Sequence, residues 1–157
     1  MSDIVLQRDV GSLGSLKNLS AAATAVAAGS GDATSTTGAT IDRAGAFSNG
    51  SMPMSLAAAV LWGATLATGK TLSIGYAVQH SDDGSSWTDY QTATYAVVAT
   101  GATAASVSSG SFEVGVNLSS AKRYVRVNFN PDLSATQTDT ATAQAAGFFA
   151  GFDRLPQ

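Results

Sequence analysis

The residues from Thr71 to Tyr90 show the clearest pattern of hydrophobic and polar positions in the chain. Between Leu72 and His80 every second residue is large, and the residues between them are small or polar. This period of two is typical of a half-buried strand. The sequence Ser-Asp-Asp-Gly-Ser that follows favours a turn, because its short side chains bond their own backbone and its glycine tolerates positive φ. We therefore predict a β-hairpin.

Similar short apolar segments recur along the rest of the chain, and turn-forming residues separate them. The pattern predicts strands at 40–43, 56–66, 71–80, 87–90, 94–99, 111–118, 123–128 and 138–152. Seven or eight short strands with this spacing are typical of a β-sandwich or a jelly roll. We predict an all-β fold with one such domain over residues 40–157, since a chain of 157 residues usually forms a single domain.

Two neighbouring predicted strands have a clear inner side. Phe112, Val114 and Val116 alternate with polar or small residues, and so do Val127 and Phe129 in the next strand. These residues are expected to face the core. The two strands are predicted to pair with each other as an amphipathic hairpin.

Residues 56–66 are apolar on both faces, which favours a central strand covered on both sides. The second cover is either a loop or another subunit. Phe148, Phe149 and Phe152 cannot all point inward from one strand, so an aromatic residue there is a candidate for an intersubunit contact. We predict these three residues and Trp62 as partner contacts in a homo-oligomer, either a dimer or a trimer, although Trp62 itself is expected to be buried.

Residues 1–39 differ from the rest, because Gly and Ser interrupt short apolar groups. We predict an extended N-terminal arm, in which Ile4, Leu6, Arg8 and Asp9 contact another protein subunit. Within it, residues 20–40 form either a short helix, favoured by alanine propensity, or a loop ordered by a neighbour.

The composition favours a chain that packs against other protein. Ala, Gly, Ser and Thr supply 82 of the 157 residues, and charged residues supply only 12%. Average domains carry about 25% charged residues. Small uncharged polar groups cost less to desolvate than Lys and Glu, so burying this surface against a partner is comparatively easy.

The charge pattern and the absence of cysteine exclude several classes. The net charge is −3 and there is no basic run, so we predict no nucleic-acid partner. No cysteine is present, which removes disulfides and thiolate chemistry. We also predict no membrane span, because residues 56–66 fall well short of the about 20 residues that a spanning helix needs. The N-terminus lacks the apolar core of a secretory signal.

Candidate chemistry is sparse. His80 is the single histidine and ends a strand before a turn, where a solvated or hydrogen-bonded imidazole is the ordinary state. Asp82 and Asp83 lack the spacing of a calcium loop, so turn formation explains them. Trp87 is either a core anchor or a platform on which a sugar stacks. We predict no catalytic site, no metal and no cofactor.

The segment from Tyr76 to Trp87, YAVQHSDDGSSW, resembles a strand-turn-Trp signature of the capsid cement, or decoration, proteins of tailed bacteriophages. The strand KRYVRV at 122–127 and the body rich in Ala, Gly, Ser and Thr support this resemblance. It implies a protein made in the host cytoplasm that binds the outer capsid surface of the virion. There it bridges copies of the phage major capsid protein and stabilises the mature shell.

Two alternatives stay open. A tail or fibre component of the virion has the same sequence character. A carbohydrate-binding or adhesive β-sandwich would use Trp87, Asp82 and Asp83 as contact residues.

Overall fold

The computed structural model of the chain describes residues 11, 13–47, 51–103, 105–134 and 138–152. These residues form nine strands: β1 (Gly14–Asn18), β2 (Ala23–Val26), β3 (Ile41–Asp42), β4 (Ser55–Leu66), β5 (Thr71–Ser81), β6 (Thr88–Thr100), β7 (Ser106–Asn117), β8 (Tyr124–Leu133) and β9 (Thr140–Ala150). Among these residues there is no helix that is long and apolar enough to cross a membrane.

The strands form two antiparallel sheets that share one core. The first sheet has the order β1-β9-β4-β7, and β2 pairs with β9 beyond the end of β1. The second sheet has the order β3-β8-β5-β6. The predicted all-β sandwich is therefore confirmed.

Alternation in the central strands builds the core between the sheets. Leu56 and Val60 of β4 and Leu72 of β5 are at most 3% exposed, and their chain neighbours point outward. Phe129 of β8 and Phe149 of β9 are the largest fully buried side chains. Because β4 lies between β9 and β7, it is the central strand that its sequence predicts.

The predicted hairpin is formed by β5 and β6. Its turn is held by Asp83, whose carboxylate accepts hydrogen bonds from the backbone N–H groups of Ser85 and Ser86, both at 2.8 Å. Gly84 has a φ of 72°, as the turn requires. The returning strand is longer than predicted. The segments predicted at 87–90 and 94–99 form one continuous strand, β6, which begins at Thr88, and its pairing with β5 contains several register shifts.

The predicted hairpin between 111–118 and 123–128 is wrong. β7 pairs with β4 in the first sheet, whereas β8 pairs with β3 and β5 in the second. The connection crosses from one sheet to the other, and Leu118 is fully buried in it. An amphipathic pattern requires only that one side be covered, so it did not reveal which strand is the neighbour.

The structure moves the predicted boundary between arm and domain. β1 pairs with residues 146–150 of β9, and β2 pairs with residues 140–143. Residues 14–26 therefore belong to the first sheet and not to an arm. Backbone hydrogen bonds to the edge of β9 stabilise these short strands. The pattern of their side chains did not predict this pairing.

The connection from β2 to β3 is ordered by the chain's own β8, and not by a helix. Asp32 accepts a hydrogen bond from the backbone N–H of Leu133 at 2.8 Å. The backbone N–H of Gly38 donates to the Asn128 side chain at 3.0 Å. Between them, Thr36 forms an isolated bridge with Phe129.

Arg43 joins two connections at one end of the sandwich, its own between β3 and β4 and the one between β7 and β8. It is only 2% exposed, and its guanidinium donates to the carbonyl oxygens of Pro53 at 2.7 Å, Leu118 at 2.8 Å and Lys122 at 3.0 Å. It also donates to the carbonyl oxygen of Ala121. Burial lowers the pKa of this guanidinium from its usual value. Its partners are all backbone groups, so Arg43 serves the fold.

Candidate protein-docking face

The first sheet turns one side to the core and the other to solvent. In β4 the odd-numbered residues from Ala57 to Thr65 point outward, and the register places outward residues of the other strands beside them. We name this surface the outer face. It comprises Leu16 and Asn18 of β1, Thr24 and Val26 of β2, Ala57, Ala59, Leu61, Gly63 and Thr65 of β4, Val107, Ser109, Ser111, Glu113 and Gly115 of β7, and Thr140, Thr142, Gln144, Ala146 and Phe148 of β9.

Exposed apolar side chains concentrate on the outer face. Among the described residues seven large hydrophobic side chains are exposed, and four of them lie here. They are Leu16 at 71%, Val26 at 44%, Leu61 at 50% and Val107 at 79% exposure. Scattered exposed hydrophobic residues are ordinary, but a group on one sheet face indicates a surface that binds another molecule.

Glu113 is the only charged residue of the outer face as defined. Its carboxylate accepts a hydrogen bond from the Ser111 hydroxyl at 3.1 Å. The remaining residues are apolar or carry small uncharged groups. Removing water from this surface therefore costs little, and protein that packs on it needs no counter-charge apart from one at Glu113.

Two shallow grooves lie at opposite ends of the outer face. The first groove has a volume of about 360 Å³ and is lined by residues that include Ala57, Gly115 and Phe148. The second groove has a volume of about 250 Å³ and is lined by residues that include Gly63 and Thr140. Leu61 stands in β4 between the two grooves. A third groove, with a volume of about 210 Å³, lies beside Leu61 and is lined by residues that include Gly63 and Gln144.

The three phenylalanines predicted as partner contacts have different positions. Phe148 lines the first groove on the outer face. Phe149 is fully buried, with its ring centroid 5.1 Å from that of Phe47, so its prediction as a partner contact is corrected to a core role. Phe152 follows β9 and is partly buried, 5.5 Å from the same Phe47 ring. Only Phe148 lies on the docking face.

Trp62 is not on the outer face either. It occupies the inward series of β4, opposite Gly110 of β7, and is partly buried. A Cβ on Gly110 would lie 2.9 Å from the Trp62 ring, so the indole fills the space that this glycine leaves. Within the described part of the chain, its indole N–H has no hydrogen-bond partner. Trp62 therefore contributes packing within the sandwich.

The remaining predicted contacts, Ile4, Leu6, Arg8 and Asp9, lie outside the described residues. Their role as contacts to a coat or sister subunit stays a prediction. Leu61 lies in the segment 56–66 that the sequence analysis expected to be covered by a loop or another subunit, but the residue itself was not singled out. Sequence reasoning missed Leu16 and Val107 as surface contacts, because Leu16 lay in the predicted arm and Val107 in a segment predicted to be a turn.

The outer side of the second sheet is different, because its polar groups pair within the chain. Gln79 accepts hydrogen bonds from Arg126 at 2.8 Å and from Asn128 at 3.0 Å, and it donates to Asp89 at 2.7 Å. A partner that buried this side would have to replace these bonds or desolvate charged groups. The outer face of the first sheet is therefore the better docking surface.

The residues named for sugar binding are engaged by the chain itself. The Arg126 guanidinium lies over the Trp87 ring, 4.2 Å from its centroid. Asp82 forms an ion pair with Lys122 at 2.7 Å. Hydrogen bonds from backbone N–H groups of the turn lower the pKa of Asp83 below its usual range. Trp87 is only partly buried, so it is not a core anchor, and Arg126 occupies one side of its ring.

His80 has a structural environment. Its Nδ1 accepts a hydrogen bond from the backbone N–H of Lys122 at 3.4 Å, and its ring lies 5.0 Å from that of Tyr90. Burial lowers the pKa of His80, and the nearby Lys122 ammonium lowers it further. In the part of the chain that the structure describes, no three His, Cys, Asp or Glu side chains come close enough to hold a metal ion.

The fold and the outer face define a class: a two-sheet β-sandwich with one nearly uncharged, solvent-exposed sheet face. No protein-family model and no curated protein matches the chain. Among solved structures, it is similar to the PBSX exported protein XepA, with 16% identity, a TM-score of 0.44 and coverage of 91% of this chain and 39% of that chain.

It is also similar to a chain in the structure of infectious bursal disease virus, Gx strain. That match has 11% identity and a TM-score of 0.49, and it covers 87% of this chain and 32% of that chain. This chain therefore spans well under half the length of either protein. At this level of identity and TM-score, neither likeness assigns a function.

Proposed function

We propose that this chain is a structural protein of a bacteriophage virion that binds the outer capsid surface and cements neighbouring major coat subunits. The observation that supports it is the outer face, which exposes Leu16, Leu61 and Val107 and carries Glu113 as its single charge. A protein with this surface is suited to permanent packing against other protein. The resemblance of residues 76–87 to phage cement proteins supplies the partner.

The physical role follows from the thermodynamic coupling between binding of this chain and stability of the capsid. A protein that binds only the mature coat lattice stabilises that lattice by its binding free energy. Many copies, each bridging two or more coat subunits, add avidity without strong individual contacts. A sandwich with few charges suits this task, because each contact that it makes has a small desolvation cost.

Capsid binding is tested by adding the purified chain to DNA-filled capsids that lack it. The chain should co-sediment with the capsids and raise the temperature at which they release DNA. A chain that stays in the supernatant would contradict the cement role. Capsids of an unrelated phage provide the control for non-specific adsorption.

The N-terminal contacts are tested in the same assay. Deleting residues 1–10 leaves β1 intact and removes Ile4, Leu6, Arg8 and Asp9. Capsid binding should weaken while the folded domain is retained. Undiminished binding would show that these four residues do not reach the coat.

A further inference from the structure

Cross-strand rows of paired residues make up the outer face, and the two end rows are arranged alike. The first row consists of Leu16, Phe148, Ala57 and Gly115, and the last row consists of Val26, Thr140, Thr65 and Val107. In each row the strand order is the same, with β1 or β2 followed by β9, β4 and β7. Leu61 lies midway between the rows in β4.

The end rows have complementary shapes on β7. Val107 in the last row is 79% exposed and protrudes. Gly115 in the first row has no side chain, and a Cβ placed there would meet no heavy atom within 4 Å. Together with Ala57 it lines the first groove. A side chain of the size of valine from another molecule would fill this hollow.

A two-fold axis brings these shapes together. Suppose that the axis lies in the plane of the face, perpendicular to the strands, and passes through Leu61. The first row of one copy then meets the last row of the other, and β4, β7 and β9 each face the same strand of the partner. Val107 then enters the hollow at the partner's Gly115, and the contact occurs twice. Such reciprocity is the property of an isologous interface.

The same axis also pairs the other exposed apolar side chains. Leu16, on β1 in the first row, meets the partner's Val26, on β2 in the last row. Leu61 lies on the axis and meets its own counterpart. All four exposed large hydrophobic side chains of the outer face therefore gain an apolar neighbour.

The charges are compatible with this arrangement. Glu113 pairs with Ala59 in the row next to the first, and the axis sets it against the partner's Ser109, which pairs with Gly63. The two Glu113 carboxylates are therefore held in different rows and do not oppose each other. A hydroxyl next to the carboxylate can donate a hydrogen bond to it.

We propose that the outer face binds a second copy of this chain through this two-fold axis. Four strands spaced about 4.8 Å apart and the nine residues of β4 from Ala57 to Thr65 at about 3.4 Å each give a footprint of roughly 19 by 31 Å. The two copies together then cover about 1,200 Å², which is the lower end of the range for a stable interface. The axis also leaves the strands of both sheets aligned, as in packed sandwiches.

Such a dimer goes beyond the proposed function, since it forms in solution without a capsid. The dimer buries the outer face, so if the proposed function holds as well, the coat contacts lie on the other surfaces, among them the predicted N-terminal contacts, and the dimer presents two copies of each. Each dimer then bridges two coat subunits, which is the geometry that a cement protein needs.

The mass of the purified chain in solution tests the dimer. Sedimentation equilibrium at micromolar concentration should give twice the chain mass of 15.7 kDa. Leu61→Glu should return the mass to that of one chain, because it places two like charges on the axis. Val97→Glu is the matched control, since Val97 is 62% exposed on β6 of the second sheet. A monomeric wild-type chain overturns the proposal.

Cross-linking with a short bis-maleimide tests the axis, because packed sheets lie about 10 Å apart, which is beyond the reach of a direct disulfide but within that of the reagent. The absence of native cysteine makes single substitutions unambiguous. Leu61→Cys should cross-link to itself. Leu16→Cys and Val26→Cys should cross-link when the two variants are mixed and not when each is alone. Val97→Cys is the control and should remain uncross-linked. Cross-linking of Leu16→Cys alone overturns the proposed axis.

The outcomes separate the dimer from the cement role. A dimer that does not bind capsids contradicts the proposed function alone. A monomer that binds capsids, and loses that binding in Leu61→Glu, overturns the dimer and assigns the outer face to the coat protein.

Discussion

Phe148 and Phe149 are neighbours in β9, yet their side chains lie on opposite sides of the first sheet. Phe149 is fully buried against Phe47, whereas Phe148 lines the first groove on the outer face. One residue therefore belongs to the core and the other to the docking surface. The pair offers a matched test of both roles.

Phe149→Ala should lower the free energy of unfolding by about 3–5 kcal/mol, because it leaves a cavity between the sheets. Phe148→Ala should lower it much less when the chain is kept monomeric, since its ring is only partly covered. Urea denaturation of both variants in the Leu61→Glu background measures the difference. Equal losses would contradict the assignment of the two faces.

Gly147 and Gly115 differ in the space around them. A Cβ at Gly147 would lie 2.6 Å from Cδ1 of Leu19 and 2.7 Å from Cδ1 of Leu56. Gly147→Ala should therefore destabilise the chain by about 1–3 kcal/mol, because buried leucines must shift. Gly115→Ala should cause no such loss when both variants carry Leu61→Glu to keep the chain monomeric, since none of the described heavy atoms of the same chain lies within 4 Å of the added Cβ. Thermal unfolding of the two variants distinguishes these results, and a reversed order would argue against the β9 register.

Arg43 should be essential for stability. Arg43→Met leaves several buried carbonyl oxygens without a donor, so we expect a loss of about 3 kcal/mol or more. Arg123→Met removes the exposed ion pair with Asp42 and the contact of the guanidinium with the Tyr124 ring, and it should cost much less than Arg43→Met. Denaturant titration compares the two. A mild effect at Arg43 would mean that water can replace the guanidinium.

Asp42 should make stability depend on acid pH. A side-chain hydrogen bond from Arg123 lowers its pKa from the usual 3.8 to about 2. Between these values the unfolded chain binds more protons than the folded chain, so stability is full above pH 3.8 and falls as the pH approaches 2. Asp42→Asn should flatten the slope of unfolding free energy against pH in this window. An unchanged slope would show that other carboxylates dominate.

The local structure of the second sheet was predictable from sequence. The alternation from Leu72 to His80 and the turn chemistry of Asp83 and Gly84 are short-range signals, and the structure contains the hairpin that they predict. The two-sided apolar character of 56–66 likewise indicated a central strand. These features depend on residues close together in the chain.

The long-range arrangement was not predictable in the same way. Nothing in the alternation of β7 indicates that it pairs with β4 and not with β8. The segment 101–110 is rich in Ala, Gly and Ser, which hid the start of β7 and the exposed Val107. β1 and β2 depend on backbone hydrogen bonds to β9, to which side-chain patterns contribute little.

The candidate face was predictable only in part. The sequence indicated that one of Phe148, Phe149 and Phe152 must point away from the core, but their order alone did not identify which. The register with β4 settles it, because Phe148 pairs with the outward Ala57 and Phe149 with the buried Leu56.

The most direct test of the cement role is the number of copies of this chain per major coat protein, measured by quantitative mass spectrometry of purified, DNA-filled particles. A lattice-wide cement protein should be present at a ratio of one or a simple fraction of one. A handful of copies per particle would place the chain in the tail or fibre instead, and complete absence from the particles would contradict a virion role.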